Sequence, residues 1–252
     1  MHPDWLLPDW NAPGAGAVMT TRRGGFSSPP FDSMNLRAGL GDDDQAVARN
    51  KALLERVIGV TPVYLNQVHG ARVVRLVAAD GQPNAPVHEA DAAVTTEHGI
   101  ACTSQVADCL PVLFAAPGGV GAAHAGWRGL AAGVVERTLA ALCDAARCEP
   151  AEVQAWLGAC IGPRRFEVGV DVLRAFGAPT DGRDSLRFRP ASEGKWLANL
   201  PQLARDRLQR AGLRAITGGN WCSYEEGSRF FSYRRDRVTG RMVAAVWRHD
   251  GG

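Results

Sequence analysis

The most informative stretch of this 252-residue sequence is Gly121-Ala122-Ala123-His124-Ala125-Gly126-Trp127-Arg128-Gly129. Its apolar first half is typical of a strand, and its glycines mark a turn. Directly after the turn, apolar residues recur at helical spacing over residues 130–146, which predicts a long helix. The chain therefore passes from a strand into a helix here, with a histidine close to the junction. This order of elements indicates an α/β fold.

Other parts of the chain show similar strand and helix patterns. Short runs rich in Val and Leu, bounded by Gly or Pro, predict strands at residues 17–21, 64–68, 72–77, 92–95, 110–115, 120–123 and 153–157. Helices are predicted from the acidic residues 42–44 to about residue 58, and at residues 130–146, 167–176 and 198–211. We expect a closing hairpin from residues 230–234 and 242–247, and a mobile loop at residues 177–194. No repeat or linker is visible, so one domain over residues 1–252 is expected.

Composition excludes several classes of protein. The net charge of +2 exerts no general attraction on nucleic acid or membrane surfaces. No apolar run approaches the roughly 18 residues of a membrane span, and the N-terminus lacks the pattern of a signal peptide. The six cysteines form no Cys-x-x-Cys motif, which excludes zinc-ribbon and thioredoxin-like proteins. We therefore expect free thiols, a cytoplasmic location, and no nucleic-acid or membrane partner.

Three segments each place one good metal ligand at the end or the start of an apolar run. His69 lies in Asn66-Gln67-Val68-His69-Gly70, Cys109 lies in Ala107-Asp108-Cys109-Leu110-Pro111-Val112-Leu113, and His124 lies in the stretch quoted above. Two imidazoles and one thiolate suit zinc, and three protein ligands leave a fourth position for water or substrate, as in catalytic sites. A Cys109–His124 dyad is the competing interpretation, because a thiolate beside an imidazole is also a hydrolytic nucleophile.

Charged residues near these ligands suggest further roles. Asp108 would orient a ligand histidine or act as a base, although a carboxylate that caps a turn is an equally good interpretation. The N–H groups of residues 126–129 and the Arg128 guanidinium would hold an anion beside the metal, unless Arg128 makes a surface ion pair. Arg22 precedes two glycines in a flexible loop and is a second candidate for phosphate. Walker, dinucleotide-binding and zinc-deaminase motifs are absent.

Short motifs along almost the whole chain resemble those of the laccase-domain family. They are Thr20-Thr21-Arg22, Gly24-Gly25, Ser33-Met34-Asn35-Leu36, Asn66-Gln67-Val68-His69-Gly70, Ala107-Asp108-Cys109, His124-Ala125-Gly126-Trp127-Arg128-Gly129, Cys160-Ile161-Gly162-Pro163, Phe166-Glu167-Val168-Gly169, Phe230-Phe231-Ser232-Tyr233-Arg234 and Thr239-Gly240-Arg241. The sixth of these is highly specific. One departure is Arg23, which stands where family members often have histidine. Members are variously labelled polyphenol oxidase, purine nucleoside phosphorylase and peptidoglycan editing factor.

The resemblance implies a single-domain, mixed α/β sandwich-like fold with mixed sheets flanked by helices. It also implies zinc bound by His69, Cys109 and His124. The implied activities are phosphorolysis of adenosine, inosine, guanosine and methylthioadenosine, together with deamination of adenosine, so the partners would be purine nucleosides and inorganic phosphate. We expect catalytic roles for the three zinc ligands and Asp108. The residues expected to contact substrate or phosphate are Arg22, Asn35, Gln67 and Arg128.

Three other functions remain open at this point. Multicopper oxidases need His-x-His pairs, and the six histidines form none. A single His/His/Cys site nevertheless accepts copper. Slow copper-dependent oxidation of phenols is therefore a secondary expectation. A second alternative is an amidase that edits a peptidoglycan precursor through Cys109 or a zinc hydroxide. A third is a zinc-binding protein without enzymatic activity. The sequence makes no prediction about the oligomeric state.

Overall fold

Two mixed β-sheets form the centre of the fold in a computed structural model of the protein, which describes residues 1–181 and 184–249. The strands are β1 (Ala15–Met19), β2 (Thr61–Val63), β3 (Val73–Arg75), β4 (Ala92–Thr95), β5 (Ile100–Val106), β6 (Leu110–Ala116), β7 (Gly119–Ala125), β8 (Gln154–Leu157), β9 (Glu167–Val168), β10 (Phe188–Pro190), β11 (Trp196–Ala198), β12 (Ala215–Gly218) and β13 (Met242–Arg248). The α-helices are α1 (Asp44–Ile58), α2 (Trp127–Ala131), α3 (Val134–Ala146), α4 (Val170–Ala175), α5 (Leu200–Arg210) and α6 (Tyr233–Asp236).

The strand orders are β1-β13-β5-β2 in the first sheet and β12-β8-β6-β7-β4-β3 in the second. In each sheet the central strands are antiparallel, while β2, β3 and β12 pair in parallel with their neighbours at the sheet edges. A third, small antiparallel sheet has the order β10-β11-β9. Both large sheets are therefore mixed.

Apolar side chains hold the elements in four layers. The four-stranded and six-stranded sheets face each other across one core, to which they contribute Met19, Cys102 and Val246 on one side and Leu113, Ala122 and Trp156 on the other. On the outer face of the six-stranded sheet, Phe114 shares a second core with Leu139 of α3 and Leu208 of α5. On the outer face of the four-stranded sheet, Val243 packs in a third core with Leu54 of α1. This arrangement confirms the expected mixed α/β sandwich with flanking helices.

Helix α1 shows how local sequence sets the boundaries of an element. The Asp43 side chain accepts a hydrogen bond from the Gln45 N–H, which satisfies one of the free donors of the first turn. Gly59 ends the helix with a φ of 74°, a left-handed conformation that glycine adopts without steric cost. The helix therefore begins and ends within the predicted limits.

Two predicted elements differ because single residues redirect the backbone. The helix predicted at residues 130–146 is divided into α2 and α3, because Gly133 adopts a φ of 89° between them. The helix predicted at residues 167–176 is shorter, since residues 167–168 form β9 and α4 begins only after Gly169. The predicted helix at residues 198–211 corresponds to α5.

Two strand predictions are wrong. Residues 64–68 are not a strand, because the backbone N–H groups of residues 68–70 donate to the Asp91 carboxylate instead of to a sheet. Residues 230–234 do not pair with residues 242–247, because Ser232 caps α6 there. Strand β13 pairs instead with β1 and β5, which are distant in sequence, so the closing hairpin does not form.

One buried strand was not predicted from the sequence. Strand β5 has the sequence Ile-Ala-Cys-Thr-Ser-Gln-Val and is buried along its whole length. Two of its polar side chains bond to neighbouring backbone: the Thr103 hydroxyl donates to the Val63 carbonyl at 2.6 Å, and the Gln105 amide donates to the Leu36 carbonyl at 2.8 Å. A central strand with several polar residues is missed by a search for runs rich in Val and Leu.

The remaining expectations concern loops, thiols and membrane spans. The segment expected to be a mobile loop, residues 177–194, contains β10, and its residues 182 and 183 lie outside the described part of the chain. All six cysteines are free thiols, as expected. Within residues 1–181 and 184–249, no helix has the length and apolar character needed to cross a membrane.

Candidate metal centre

His69, Cys109 and His124 come together, and their ligand atoms all lie within 4.8 Å of one another. The distance from the Cys109 Sγ to the His69 Nε2 is 3.8 Å, and the two imidazole rings meet edge to face with centroids 4.8 Å apart. Tetrahedral zinc with usual bond lengths would separate a sulfur and a nitrogen ligand by about 3.5 Å. The donor set and its spacing therefore fit one zinc ion. Among the described residues this is the only such group of three or more potential ligands.

The three residues come from different segments of the chain. Cys109 immediately precedes β6, and His124 lies on β7, where it is paired with Pro111 of β6. The two strands are joined by a two-residue turn in which Gly118 has a φ of 83°, so their register brings the two ligands together. His69 belongs to the loop between β2 and β3 and has a φ of 62°.

Gly126 lies against all three ligands. A Cβ atom at this position would be 3.0 Å from the His69 Cδ2, 3.1 Å from the Cys109 Sγ and 3.9 Å from the His124 Cε1. The first two distances are shorter than ordinary van der Waals contacts. Glycine therefore leaves the space in which the ligands approach one another.

Asp91 orients the site, a role that was not predicted from the sequence. Its Oδ1 lies 2.8 Å from the His124 Nδ1, which leaves the Nε2 of that ring for a metal. The same carboxylate accepts backbone N–H bonds from Val68, His69 and Gly70 at 3.2, 2.8 and 2.7 Å. Burial opposes ionisation of Asp91, but these hydrogen bonds and the adjacent imidazole outweigh it and lower the pKa of the carboxyl group.

Charge coupling within the group favours a thiolate. Burial disfavours ionisation of Cys109, but His124 and His69 beside it more than compensate and lower the pKa of the thiol to about 6. Burial likewise opposes protonation of His124, whereas Cys109 and Asp91 raise the pKa of the imidazole to about 9. An anionic sulfur is the form that binds metal, and it is also the form that acts as a nucleophile.

A cavity of 480 Å³ opens above the three ligands. Its lining includes four arginines, three aromatic side chains and the ligands themselves, in full Arg37, Leu40, Gln67, His69, Gln105, Ala107, Asp108, Cys109, His124, Gly126, Trp127, Arg128, Ile161, Phe166, Leu200, Tyr233, Arg234 and Arg241. The predicted site residues Gln67, Asp108 and Arg128 are in this set, whereas Arg22 and Asn35 are not.

Arg22 lies outside the cavity and has structural partners. Its guanidinium donates to the carbonyl oxygens of Asp32 and Gly227, pairs with the Asp32 carboxylate at 3.1 Å and stacks over the Phe231 ring. These contacts engage all three guanidinium nitrogens of Arg22 and one face of its guanidinium plane. The structure therefore places Arg22 in loop packing outside the cavity that contains the metal group, and its contact with phosphate stays a prediction.

Asn35 and Gln67 act on the backbone rather than presenting their amides to the cavity. The Gln67 side chain accepts from the N–H of Gln105 at 2.8 Å and donates to the carbonyl of the same residue at 2.9 Å. Asn35 is fully buried and bonds to the backbone of Arg37 and Arg241. Both amides therefore fix elements of the cavity wall.

Asp108 does not contact the ligand histidines. Its carboxylate accepts from the Ser223 hydroxyl and from the Arg234 N–H, both at 2.6 Å. Orientation of His124, which was one expected role of Asp108, is instead performed by Asp91. Asp108 holds the start of α6 and so places Tyr233 and Arg234 at the cavity, while a role as base stays a prediction.

Three cavity arginines were not assigned a role from the sequence. Arg37, Arg234 and Arg241 line the cavity together with Arg128, which stacks over the Trp127 ring. Two of the three fall within motifs quoted above, and a search of those motifs for cations would have found them. Arg128 is exposed and makes no ion pair within the described residues, so its alternative interpretation as a surface ion pair receives no support.

Comparison with known proteins places this geometry in context. A family model described as multi-copper polyphenol oxidoreductase laccase matches residues 16–249. A purine nucleoside phosphorylase of Pseudomonas aeruginosa is 45% identical over 249 residues, covering 98% of this chain and 99% of that protein. The purine nucleoside phosphorylase YfiH of Escherichia coli is 45% identical over 96% of this chain and 98% of its own length.

Solved structures resemble the fold over its whole length. A protein of Neisseria meningitidis has a TM-score of 0.90 and 41% identity, covering 98% of this chain and all of that one (100%). YlmD from Geobacillus stearothermophilus has a TM-score of 0.88 and 32% identity, covering 98% of this chain and 96% of that one.

Proposed function

Since the chain belongs to the family described as multi-copper polyphenol oxidoreductase laccase, whose relatives at 45% identity are named purine nucleoside phosphorylases, we propose that it is a zinc-dependent purine nucleoside phosphorylase. Its substrates would be adenosine, inosine, guanosine and methylthioadenosine, and it would also deaminate adenosine. The observation that carries the proposal is a cavity in which a His/Cys/His group lies beside four arginines. We place this activity in the cytoplasm, with small molecules as its partners.

Phosphorolysis requires an anion beside the sugar. An oxygen of hydrogen phosphate forms a bond to C1′ as the C1′–N9 bond breaks, the electron pair passes to the purine, and the proton of the phosphate ends on the base. The carbon centre carries positive charge in the transition state, so cationic groups that position the phosphate matter most. Arg37, Arg128, Arg234 and Arg241 provide this charge, and the only carboxylate in the lining, Asp108, is bonded to Ser223 and to backbone.

The apolar part of the cavity suits a nucleoside. Trp127, Phe166 and Tyr233 offer aromatic surface, and the volume of 480 Å³ lies in the range of small-molecule sites. A purine is flat and apolar on both faces, so it gains from contact with such rings. The aromatic side chains therefore suit the purine, and the arginines suit the phosphate.

His69, Cys109 and His124 would hold zinc, and zinc bound there supplies Lewis acidity and water activated near neutral pH, as deamination at the purine C6 requires. Asp91 keeps the His124 ring in the orientation that presents its Nε2. Gly126 keeps the three side chains free of steric hindrance. The donor set also accepts copper, so zinc is the metal that we propose and assay first.

The decisive experiment incubates zinc-loaded protein with adenosine, with and without inorganic phosphate, and measures adenine, inosine and hypoxanthine. We expect adenine only when phosphate is present, and inosine in either case. Protein that is inert toward every nucleoside, yet releases an amino acid from a cell-wall precursor, would overturn the proposal in favour of the editing amidase. Inertness toward both would favour a zinc-binding protein without activity.

Copper-dependent phenol oxidation is a second candidate because the family description names it and a His/His/Cys group accepts copper. Coupled multicopper chemistry needs several metal sites, whereas residues 1–181 and 184–249 contain one group of three ligands. We therefore expect slow oxidation by copper-loaded protein that does not change in parallel with nucleoside turnover across variants of the site.

A further inference from the structure

Arg37 and Arg241 form a pair of like charges in the cavity wall. Both are partly buried. Burial is the main cause that lowers the pKa of the Arg241 guanidinium, and the charge of Arg37 lowers it further. The Arg241 guanidinium donates only to the carbonyl oxygens of Thr239 and Gly240, at 2.9 and 3.0 Å. The Arg37 guanidinium has no hydrogen-bond or ion-pair partner in the described part of the chain. Within the described residues, neither arginine therefore forms an ion pair with a carboxylate.

One buried amide holds the two arginines together. The Asn35 Oδ1 accepts from the N–H of Arg37 at 3.1 Å and from the N–H of Arg241 at 2.9 Å. Its Nδ2 donates to the Arg37 carbonyl and to the Asp42 carboxylate, so its bonding capacity is used in full. The Leu36 N–H also donates to the Arg241 carbonyl. Two segments 206 positions apart in sequence are thereby fixed side by side.

Two adjacent guanidinium groups repel each other, and a protein tolerates such an arrangement when an anion binds between them. The planar fork of arginine matches phosphate oxygens with two parallel hydrogen bonds. Asp42, which is bonded to the Asn35 amide and to the Asp43 N–H, makes no ion pair with either arginine. The free donors of the pair are therefore available to a ligand.

The other two cavity arginines lie over aromatic rings, as Arg241 also does with Tyr233. Arg234 donates to the Glu167 carbonyl and lies over the Phe166 ring, and Arg128 stacks over the Trp127 ring. Arg37 and Arg241 line the same cavity as His69, Cys109 and His124. Among the four cavity arginines, these are the two whose backbones one buried amide holds together.

We infer that Arg37 and Arg241 bind the inorganic phosphate that attacks the nucleoside, and that Asn35 is the positioning residue that fixes their backbones. This inference rests on the proposed phosphorylase function. The phosphate held there forms its bond to C1′ while the C1′–N9 bond breaks, and its proton passes to the departing purine. Deamination uses water and not phosphate, so it does not need this pair.

The test compares Arg37→Gln and Arg241→Gln with the unmodified enzyme in both reactions. We expect the KM for phosphate to rise about tenfold or more, because charged hydrogen bonds are lost, while adenosine deamination changes little. Arg37→Lys keeps the charge but loses the planar fork, so its KM for phosphate should lie between the values of the unmodified enzyme and of Arg37→Gln. Arg137→Gln, an exposed residue of α3 outside the cavity, is the matched control and should leave both reactions unchanged.

A direct measurement separates this inference from the proposed function. Titration of the zinc-loaded protein with inorganic phosphate in a calorimeter reports binding without turnover, and the zinc content and melting temperature of each variant report correct folding. An enzyme that phosphorolyses nucleosides but keeps its phosphate affinity in both Gln variants would overturn the phosphate site and leave the function intact. Phosphate binding that depends on the pair, without phosphorolysis, would support the site and overturn the function. If the unmodified protein binds no phosphate, the inference is wrong.

For Asn35, the variant Asn35→Asp tests positioning. It keeps the oxygen that accepts from both arginines but loses the donors to Arg37 and Asp42, and it adds a charge near the pair. We expect a higher KM for phosphate with a nearly unchanged kcat for deamination. Equal losses in both reactions would indicate a general structural role and would contradict the positioning role.

Discussion

The carboxylate of Asp91 and the imidazole of His124 form a buried hydrogen bond of 2.8 Å between Oδ1 and Nδ1. The same carboxylate also receives the three N–H groups of the loop that carries His69. One side chain therefore fixes two of the three ligands, one through its ring and the other through its backbone. The geometry of the candidate metal group therefore depends on Asp91, which is not itself one of the three potential ligands.

The first prediction concerns this residue. Asp91→Asn replaces one acceptor oxygen by a donor and cannot satisfy His124 and all three N–H groups. Loss of such an outer partner typically weakens metal binding by about 10- to 100-fold. Competition with a chromogenic zinc chelator measures the change, and Asp144→Asn, an exposed residue of α3, is the control. Unchanged zinc affinity would show that orientation of His124 does not depend on Asp91.

The second prediction concerns the thiolate ligand. Cys109→Ser should lower zinc content and nucleoside turnover together, because a hydroxyl is a poor replacement for a thiolate. Metal analysis and the adenosine assay on the same preparation provide the comparison. Cys148→Ser, which alters a partly exposed thiol away from the cavity, should change neither. A Cys109→Ser protein that keeps its zinc but loses activity would instead favour a nucleophilic thiol.

The third prediction is the pH dependence of thiol alkylation in metal-free protein. The thiolate is the reactive form, and with a pKa of about 6 it predominates at pH 7. The rate of Cys109 alkylation by iodoacetamide should therefore fall as the pH drops through 6 and should level off above 7. Mass spectrometry of the Cys109 peptide gives the rate. In His124→Ala the inflection should move upward, because the main favourable charge is removed.

An inflection near 8.5, the ordinary value for a free cysteine, would contradict the coupling between Cys109 and the two imidazoles. Cys102 serves as an internal reference in the same samples. Burial raises the pKa of its thiol, so it should react slowly throughout the pH range.

The fourth prediction concerns the space above the ligands. Gly126 has a φ of −64°, so alanine fits its backbone without strain, but its Cβ would press on His69 and Cys109. Gly126→Ala should therefore weaken zinc binding while the melting temperature of the metal-free protein changes little. Gly14→Ala, where a Cβ meets no atom within 4 Å, is the matched control. Normal zinc affinity in Gly126→Ala would mean that the ligands have room to shift.

The three members of the candidate metal group could be predicted because each is a distinctive residue in a distinctive local segment. His69, Cys109 and His124 follow or interrupt apolar runs, and the motifs around them are specific. Asp91 could not be found in this way, since an acid before a short strand is common and its partners lie 21 to 33 positions away. Its importance appears only when β4 and β7 are paired.

Arg22 and Arg241 show the same limit for charged residues. Arg22, beside two glycines, has the local pattern of a phosphate contact, but Asp32, Gly227 and Phe231 engage it. Arg241 lies in the motif Thr239-Gly240-Arg241, but the motif does not show that Asn35 places this arginine in the cavity wall. Position relative to a distant partner decides the role of an arginine, and sequence alone does not contain that position.

The fold was predicted in class and in most of its elements, whereas strand pairing was not. Residues 242–247 were expected to pair with their near neighbours, but β13 lies between β1 and β5. Local turn signals favour a hairpin, and only the burial of Val243 and Val246 in two different cores favours the central position. Pairing between distant strands depends on such contacts.

The pairing of Pro111 with His124 has a consequence for how the candidate metal group would take up zinc. A slip of one residue between β6 and β7 would turn His124 to the other face of the sheet. The loop that carries His69 is held by the Asp91 carboxylate, so it is fixed only once Asp91 is in place. No local fragment of the chain contains a complete ligand set. Zinc uptake during refolding should therefore be a late event that reports correct strand register, and it should lag behind the formation of secondary structure.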